Sequence, residues 1–107
     1  MSSAKTLTDA NFADEVRTST KPFLVDFWAS WCGPCRMMSP MVEQIAAAHA
    51  NRLAVGKLNI DDNPQTADAY QVMTVPTMSV FVGGEVVKQI IGAKSKSALL
   101  RELSDFL

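Results

Sequence analysis

The chain reads as an α/β protein: one central sheet of about five strands, with helices on both faces, closed by an antiparallel hairpin. Three observations predict this. The run Phe23-Leu24-Val25-Asp26-Phe27-Trp28 does not alternate apolar with polar residues, as expected of a central parallel strand covered on both sides. Beyond Cys35, the residues Arg36, Met37, Met38, Met41, Val42, Ile45, Ala46 and His49 recur at helical spacing. Near the end, Gly83-Gly84 stands between two apolar runs as the two-residue turn of a hairpin, so the last two strands are antiparallel.

The elements follow in order. Lys5-Thr6-Leu7 is a short edge strand, and Thr8 can cap a helix whose apolar side includes Phe12 and Val16. Thr18-Ser19-Thr20-Lys21-Pro22 is turn material leading into the strand at 23–28. The long helix that follows contains Pro40, which removes a backbone donor and predicts a kink. Its Met37, Met38 and Met41 mostly fill the core, with Met37 close enough to the preceding turn to offer an adaptable contact. Residues 53–60 form the next buried strand. Asn63 then serves as N-cap and Pro64 as first residue of a short helix reaching Tyr70. That segment is no calcium loop, lacking the glycine and terminal glutamate of such a motif. Pro76 sits at the mouth of a strand at 75–82, where its missing N–H does no harm. The hairpin partner covers 85–91. Ser95 or Ser97 can cap a last helix carrying Leu99, Leu103, Phe106 and Leu107 on its covered side.

A length of 107 residues fits one domain, 1–107, with a single core. Ten Lys and Arg balance eleven Asp and Glu, leaving a net charge of −1 and no like-charged block, so neither nucleic acid nor a membrane surface is an expected partner. No apolar run approaches the roughly 18 residues of a membrane span. Met1-Ser2-Ser3-Ala4-Lys5-Thr6-Leu7 lacks the apolar core of a signal peptide, which makes a cytoplasmic location the expectation.

Chemistry concentrates at Cys32 and Cys35, the two cysteines of the chain, which lie between Trp31 and Arg36. As a staple the pair is weak: a ring this small contributes roughly 2 kcal/mol, against about 3 for a fifteen-residue loop. As a metal site it is short of ligands, since structural zinc takes four and the single His49 lies a helix away. A dithiol that opens and closes as its chemistry remains. Cys32 falls just before a helix and Cys35 in its first turn, where unpaired N–H groups and the helix dipole favour the thiolate that carries out disulfide exchange. Pro34 suits the first helical position and Gly33 permits a tight turn beside the sulfurs. Trp28 reads as an apolar anchor, and Trp31, next to Cys32 in a turn, as part of a surface that a partner touches. Asp26, an acid inside an apolar strand, has two readings: a structural carboxylate satisfied by backbone donors, or a proton acceptor at the end of the strand that leads to the dithiol. Lys57 likewise either pairs with Asp26 on a neighbouring strand, coupling their titrations, or snorkels to solvent. His49 reads as a surface residue at the negative pole of its helix.

Trp28-Ala29-Ser30-Trp31-Cys32-Gly33-Pro34-Cys35-Arg36 resembles the active-site segment of the thioredoxin family. Val25-Asp26-Phe27, Lys57-Leu58-Asn59-Ile60-Asp61, Val75-Pro76-Thr77 and Gly83-Gly84-Glu85 are similar to thioredoxin segments in the same order, so the likeness spans essentially the whole chain. It implies the thioredoxin fold, a mixed five-stranded sheet in the order 1-3-2-4-5 flanked by four α-helices. It also implies a lowered thiol pKa, a cis Val75–Pro76 bond packed against the dithiol and shielding it from metal, and a helix kinked at Pro40. Trp31, Val75, Pro76 and Gly92 would bind the target chain, Gly92 leaving room for it. Thr74 stands where many thioredoxins have glycine, which bears on partner preference.

The activity implied is that of a general protein-disulfide reductase contributing to cell redox homeostasis. Cys32, the more exposed thiolate, attacks a target disulfide; Cys35, deprotonated with help from Asp26, then resolves the mixed disulfide. No bound cofactor is expected, NADPH and FAD entering only through a thioredoxin reductase. Ribonucleotide reductase, methionine sulfoxide reductase and peroxiredoxin are implied targets, and a monomer is expected. Two other functions stand beside this one. An oxidant or isomerase of the same fold usually carries a histidine next to the second cysteine, where this chain has Pro34. A binding subunit would use the surface around Trp31, Val75, Pro76 and Gly92 without turnover.

Overall fold

The computed structural model describes residues 3–107; Met1 and Ser2, which open the segment read for a leader, lie outside the described residues. Five strands, β1 (Lys5–Leu7), β2 (Phe23–Trp28), β3 (Ala54–Asn59), β4 (Thr77–Val82) and β5 (Glu85–Ile91), form one sheet in the order β1-β3-β2-β4-β5. β1, β3 and β2 run parallel, while β4 is antiparallel to both β2 and β5, as the hairpin requires. The helices are α1 (Gly33–Ala48), α2 (Pro64–Ala69), α3 (Lys96–Glu102) and, between β1 and β2, a short segment at Ala13–Arg17. This is the thioredoxin fold expected from the resemblance.

Local chemistry explains most boundaries. Thr8 closes the turn that leads into the first helical segment, its Oγ1 accepting the Asn11 N–H at 3.1 Å while Asn11 Oδ1 accepts the Thr8 N–H at 2.7 Å; the N-cap itself is Phe12, without a side-chain cap. The segment that follows is wound as a π-helix, and it still buries Phe12 and Val16. Asn63 occupies the N-cap of α2 without capping it. Asp9 does so from across the chain: its carboxylate accepts the backbone N–H groups of Gln65 and Thr66 and the Thr66 hydroxyl. The Asn63 side chain turns outward to accept the Asp9 N–H and donate to the Asn59 carbonyl. Ser95, rather than Ser97, caps α3 by accepting the Ala98 N–H at 3.2 Å. Beyond α3 a 3-10 turn, Ser104–Phe106, carries Phe106 and Leu107 against the core.

The sheet separates two cores. On the α1 and α3 side, Leu24, Val55, Met78 and Val80 meet Met38, Val42, Ile45, Leu99 and Leu103. On the other, Phe23, Val25, Phe27, Leu58 and Phe81 meet Leu7, Phe12 and Val16, with Tyr70 of the α2 end packed on them. Every residue of β2 before Trp28 is buried, as a strand covered on both faces demands. The methionines divide: Met38 is core, Met41 is half-buried, and Met37 is 77% exposed, so it does not fill the core. No helix among the described residues is long and apolar enough to cross a membrane.

Candidate active site

At the end of β2 the chain turns through Ala29-Ser30-Trp31 into α1. The turn is closed by a hydrogen bond from the Cys32 N–H to the Ala29 carbonyl at 3.1 Å and strapped by the Arg36 guanidinium, which donates to the Ser30 carbonyl at 3.0 Å. Cys32 is the N-cap of α1, in extended conformation, and its Sγ accepts the Cys35 N–H at 3.1 Å. One of the orphan donors of the helix therefore points at the first sulfur, where it favours a negative charge. The two cysteines are joined as a disulfide, with Cα atoms 5.3 Å apart.

In the disulfide state both cysteines are buried, Cys32 at 4% and Cys35 at 3% exposure. Two expectations for this turn need revision. Pro34 occupies the second helical position, because α1 begins at Gly33; its missing N–H is still one of the orphans of the first turn. Gly33 is not forced by the backbone, since it has no left-handed φ and a Cβ there would meet nothing within 4 Å.

The rest of the site is brought in by loops. The Val75–Pro76 peptide bond is cis, and Val75 packs with Trp28 and Ile60 against Ala29, Cys32 and Cys35. Pro76 is buried and its carbonyl accepts the Gly92 N–H at 2.9 Å, which ties the loop after β5 to the dithiol. Gly92 has φ +89°, a conformation that L side chains rarely adopt, and beside it lies open space. Next to Cys32, Trp31 is 66% exposed, its indole N–H held by Asp61 Oδ2 at 2.9 Å, and in the loop before Pro76, Met73 is 89% exposed. The structure thus gathers Trp31, Cys32, Cys35, Val75, Pro76 and Gly92 at one end of the sheet.

Asp26 lies on the α1 face of β2, 2% exposed, and its Oδ1 has no hydrogen-bond partner among the described residues. The backbone donors of the structural reading do not reach that oxygen. Burial pushes the carboxyl up to about 6, with the nearby Lys57 charge pulling it partly back. Lys57 lies on the neighbouring strand β3, as predicted, and in direct register with Asp26, yet it is not paired with it. The ammonium donates to Ser39 Oγ of α1 and stands 5.9 Å from the centre of the Trp28 ring. Sequence reasoning missed Ser39. Its position four residues after Cys35, on the same helix face, was the available signal. It also missed the Arg36 strap and the Asp61 anchor for Trp31, both of which depend on loop geometry. His49 is the C-cap of α1, remote in sequence and fold from the dithiol. Among the described residues no group of three or more His, Cys, Asp or Glu side chains is placed to hold a metal ion.

A family model described as Thioredoxin matches residues 3–105. Over 99 residues the chain is 57% identical to the thioredoxin of Mycobacterium tuberculosis, covering 92% of this chain and 85% of that one. With the thioredoxin of Alicyclobacillus acidocaldarius it shares 52% identity over 102 residues, 95% of this chain and 96% of that one. It is also 56% identical over 99 residues to a bifunctional thioredoxin reductase/thioredoxin of Mycobacterium leprae, covering 92% of this chain and 22% of that longer one.

Proposed function

The chain belongs to the thioredoxin family, and from that premise we propose that it is a general protein-disulfide reductase in which Cys32 is the nucleophile, Cys35 the resolving thiol and Asp26 the proton acceptor. The thiol–disulfide oxidoreductase activity resides in the Cys32–Cys35 pair. One observation carries the order of attack: the Cys35 N–H is aimed at Cys32 Sγ, so the first sulfur is the one stabilised as an anion when the pair is reduced.

The cycle then balances in two displacements. Cys32 thiolate attacks one sulfur of the target disulfide, forming a mixed disulfide and releasing the target's other sulfur as thiolate. Cys35 gives its proton to the Asp26 carboxylate and attacks Cys32 Sγ; the Cys32–Cys35 disulfide forms and the second target sulfur departs, so the target gains two electrons and the protein loses two. A carboxyl near 6 suits this task, being mostly ionised at pH 7 yet far more basic than an ordinary aspartate. Lys57 sets the charge beside it. Gly33, Pro34 and Pro76 shape the dithiol, and the exposed Trp31 with the half-buried Val75 and Gly92, backed by the buried Pro76, receives the extended target chain, with Met37 and Met73 at its rim.

We read residues 1–107 as one domain of this kind, working as a monomer in the cytoplasm without a bound cofactor. A thioredoxin reductase returns the electrons, drawing on NADPH through FAD; the M. leprae relative, named for both activities, supports that pairing. Ribonucleotide reductase, methionine sulfoxide reductase and peroxiredoxin fit as targets because each ends its turnover with a disulfide to be reduced. The test is NADPH-dependent reduction of insulin disulfides with a thioredoxin reductase. The intact protein turns over and Cys35→Ser does not, accumulating instead as a mixed disulfide. Equal activity of the two would remove Cys35 from the cycle.

A further inference from the structure

Asp26 and Lys57 face each other across two parallel strands in direct register, a separation of about 5 Å between backbones. A carboxylate and an ammonium so placed on one buried sheet face are expected to pair, since each is costly to bury alone. They do not. The ammonium rises to α1 and donates to Ser39 Oγ, and Asp26 Oδ1 is left without a donor. Ser39 is half-buried and lies one helical turn beyond Cys35, on the side of α1 that looks down on the sheet. We propose that Ser39 is a positioning residue for the buried acid: its hydroxyl holds the Lys57 ammonium on α1 and keeps it out of contact with the Asp26 carboxylate. This deepens the reading of Asp26 as proton acceptor and rests on it for its meaning in the cycle.

The groups that could otherwise govern Asp26 are few. From β3 the facing residue is Lys57; from β4 it is Met78, which carries no charge. From α1 the buried residues are Cys35, Met38, Val42, Ile45 and Ala46, of which only the reduced Cys35 thiol titrates. An opposite charge brought within about 4–6 Å of a carboxylate lowers its pKa by about 1–3. A direct ion pair would therefore make Asp26 a poorer base for Cys35. A hydroxyl has no charge of its own to add, yet it satisfies one ammonium proton and fixes where the positive charge stands. A cleft of about 430 Å³ lined by Thr6, Trp28, Lys57, Asn59 and Asp62 opens Lys57 to solvent, so the rest of its hydration is not lost.

Ser39→Ala removes the acceptor and retains the fold, alanine being the better helix former. The relaxed Lys57 then stands between two carboxylates, its register partner Asp26 and the cleft residue Asp62, and the Asp26 midpoint reads the approach to the first. The carboxyl carbon of Asp26 is followed by 13C NMR through a pH titration of the reduced full chain, for the parent, Ser39→Ala, Ser39→Thr and Lys57→Met with and without Ser39→Ala. The Asp26 midpoint is expected to fall by about one pH unit in Ser39→Ala, to stay at the parent value in Ser39→Thr, and to be insensitive to Ser39→Ala once Lys57 is methionine. An unmoved midpoint in Ser39→Ala overturns the proposal, as does a fall of the same size in the Lys57→Met background. The pH profile of single-turnover insulin reduction separates the underlying reading: a midpoint that falls while the rate profile stays put upholds Ser39 and removes Asp26 from proton transfer.

Discussion

Strand β2 presents two faces that are built differently. Phe23, Val25 and Phe27 enter a cluster closed by edge-to-face rings, Phe12 on Phe81 at 5.4 Å and Tyr70 on Phe81 at 4.9 Å. Leu24 and Asp26 lie under α1 among Met38, Val42, Met78 and Val80. Each face holds one buried polar atom without a partner among the described residues: Ser79 Oγ, opposite Val25, and Asp26 Oδ1, opposite Met78. Both cost desolvation energy, but a neutral hydroxyl costs the same at every pH, whereas the larger part of the acid's cost is added when it ionises. The aromatic face therefore supplies stability alone, and the α1 face exchanges some stability for a group that can move a proton. The largest expected effect tests the first half of that contrast. Phe27→Ala, deleting a ring with 0% exposure, lowers the urea-unfolding free energy by about 3–5 kcal/mol while the folded protein still reduces insulin. Loss of turnover in protein that circular dichroism shows to be folded would break the division.

Asp26→Asn tests the second half, and its sign is opposite. The folded carboxyl titrates near 6 against an ordinary 3.8, so between those values the folded state holds a proton that the unfolded state has lost. Parent stability accordingly falls as pH rises from about 4 to 6, and the full cost, about 3 kcal/mol, is present above that window. The variant has no charge to bury. It is expected to match the parent below pH 4 and to exceed it at pH 8 by up to about 3 kcal/mol, less whatever the buried amide costs, while the step that releases the target slows. Denaturant melts at pH 4 and pH 8 check this; a variant less stable than the parent at pH 8 refutes the account of the buried acid.

The contrast between faces was partly legible in the sequence. Non-alternation in residues 23–28 marked a strand with two covered faces, and Asp26 was visible as the one group out of place on it. The direct register of Asp26 and Lys57 is the structure's, but that their strands lie side by side followed from the β-helix-β connection. Where the ammonium ends up did not, because a four-carbon stem reaches either the neighbouring strand or the helix above, and a lone Ser39 on a helix carries no chemical signature. Strand order and the cis Val75–Pro76 bond came from the family likeness alone: an X–Pro bond favours trans by only about 0.5–1 kcal/mol, so tertiary context chooses, not the local residues. The cap of α2 shows the same limit. Local adjacency points to Asn63, and the structure uses Asp9, more than fifty residues away along the chain. Met37, grouped with the core-filling methionines but also read as an adaptable contact beside the turn, serves only the second reading, because helical spacing assigns a face and cannot say where along the helix the cover ends.

Gly56 gives the smallest of the expected effects and the sharpest test of how the aromatic face is packed. It sits inside β3, in register with Val25 of β2 and Lys5 of β1, and no turn or positive φ accounts for a glycine there. Space does: a Cβ would lie 2.6 Å from Leu7 Cδ1, 2.7 Å from Leu7 Cγ and 3.0 Å from Phe23 Cε1. Something must shift when Gly56→Ala adds that methyl, and the two neighbours are not equally free to do so. Phe23 belongs to the central strand, paired on both sides, whereas Leu7 ends the three-residue edge strand β1, which pairs with β3 alone. The strain is therefore released through β1. Overpacking of this kind costs about 1–3 kcal/mol, and amide exchange at Thr6 and Leu7 quickens while that of β2 changes only with global stability. The dithiol, at the end of β2 and under the other face, retains its insulin turnover at temperatures where the variant is folded. Faster exchange in β2 instead of β1 would mean that the central strand yields first, and the separation between a face that only stabilises and a face that also reacts would not hold.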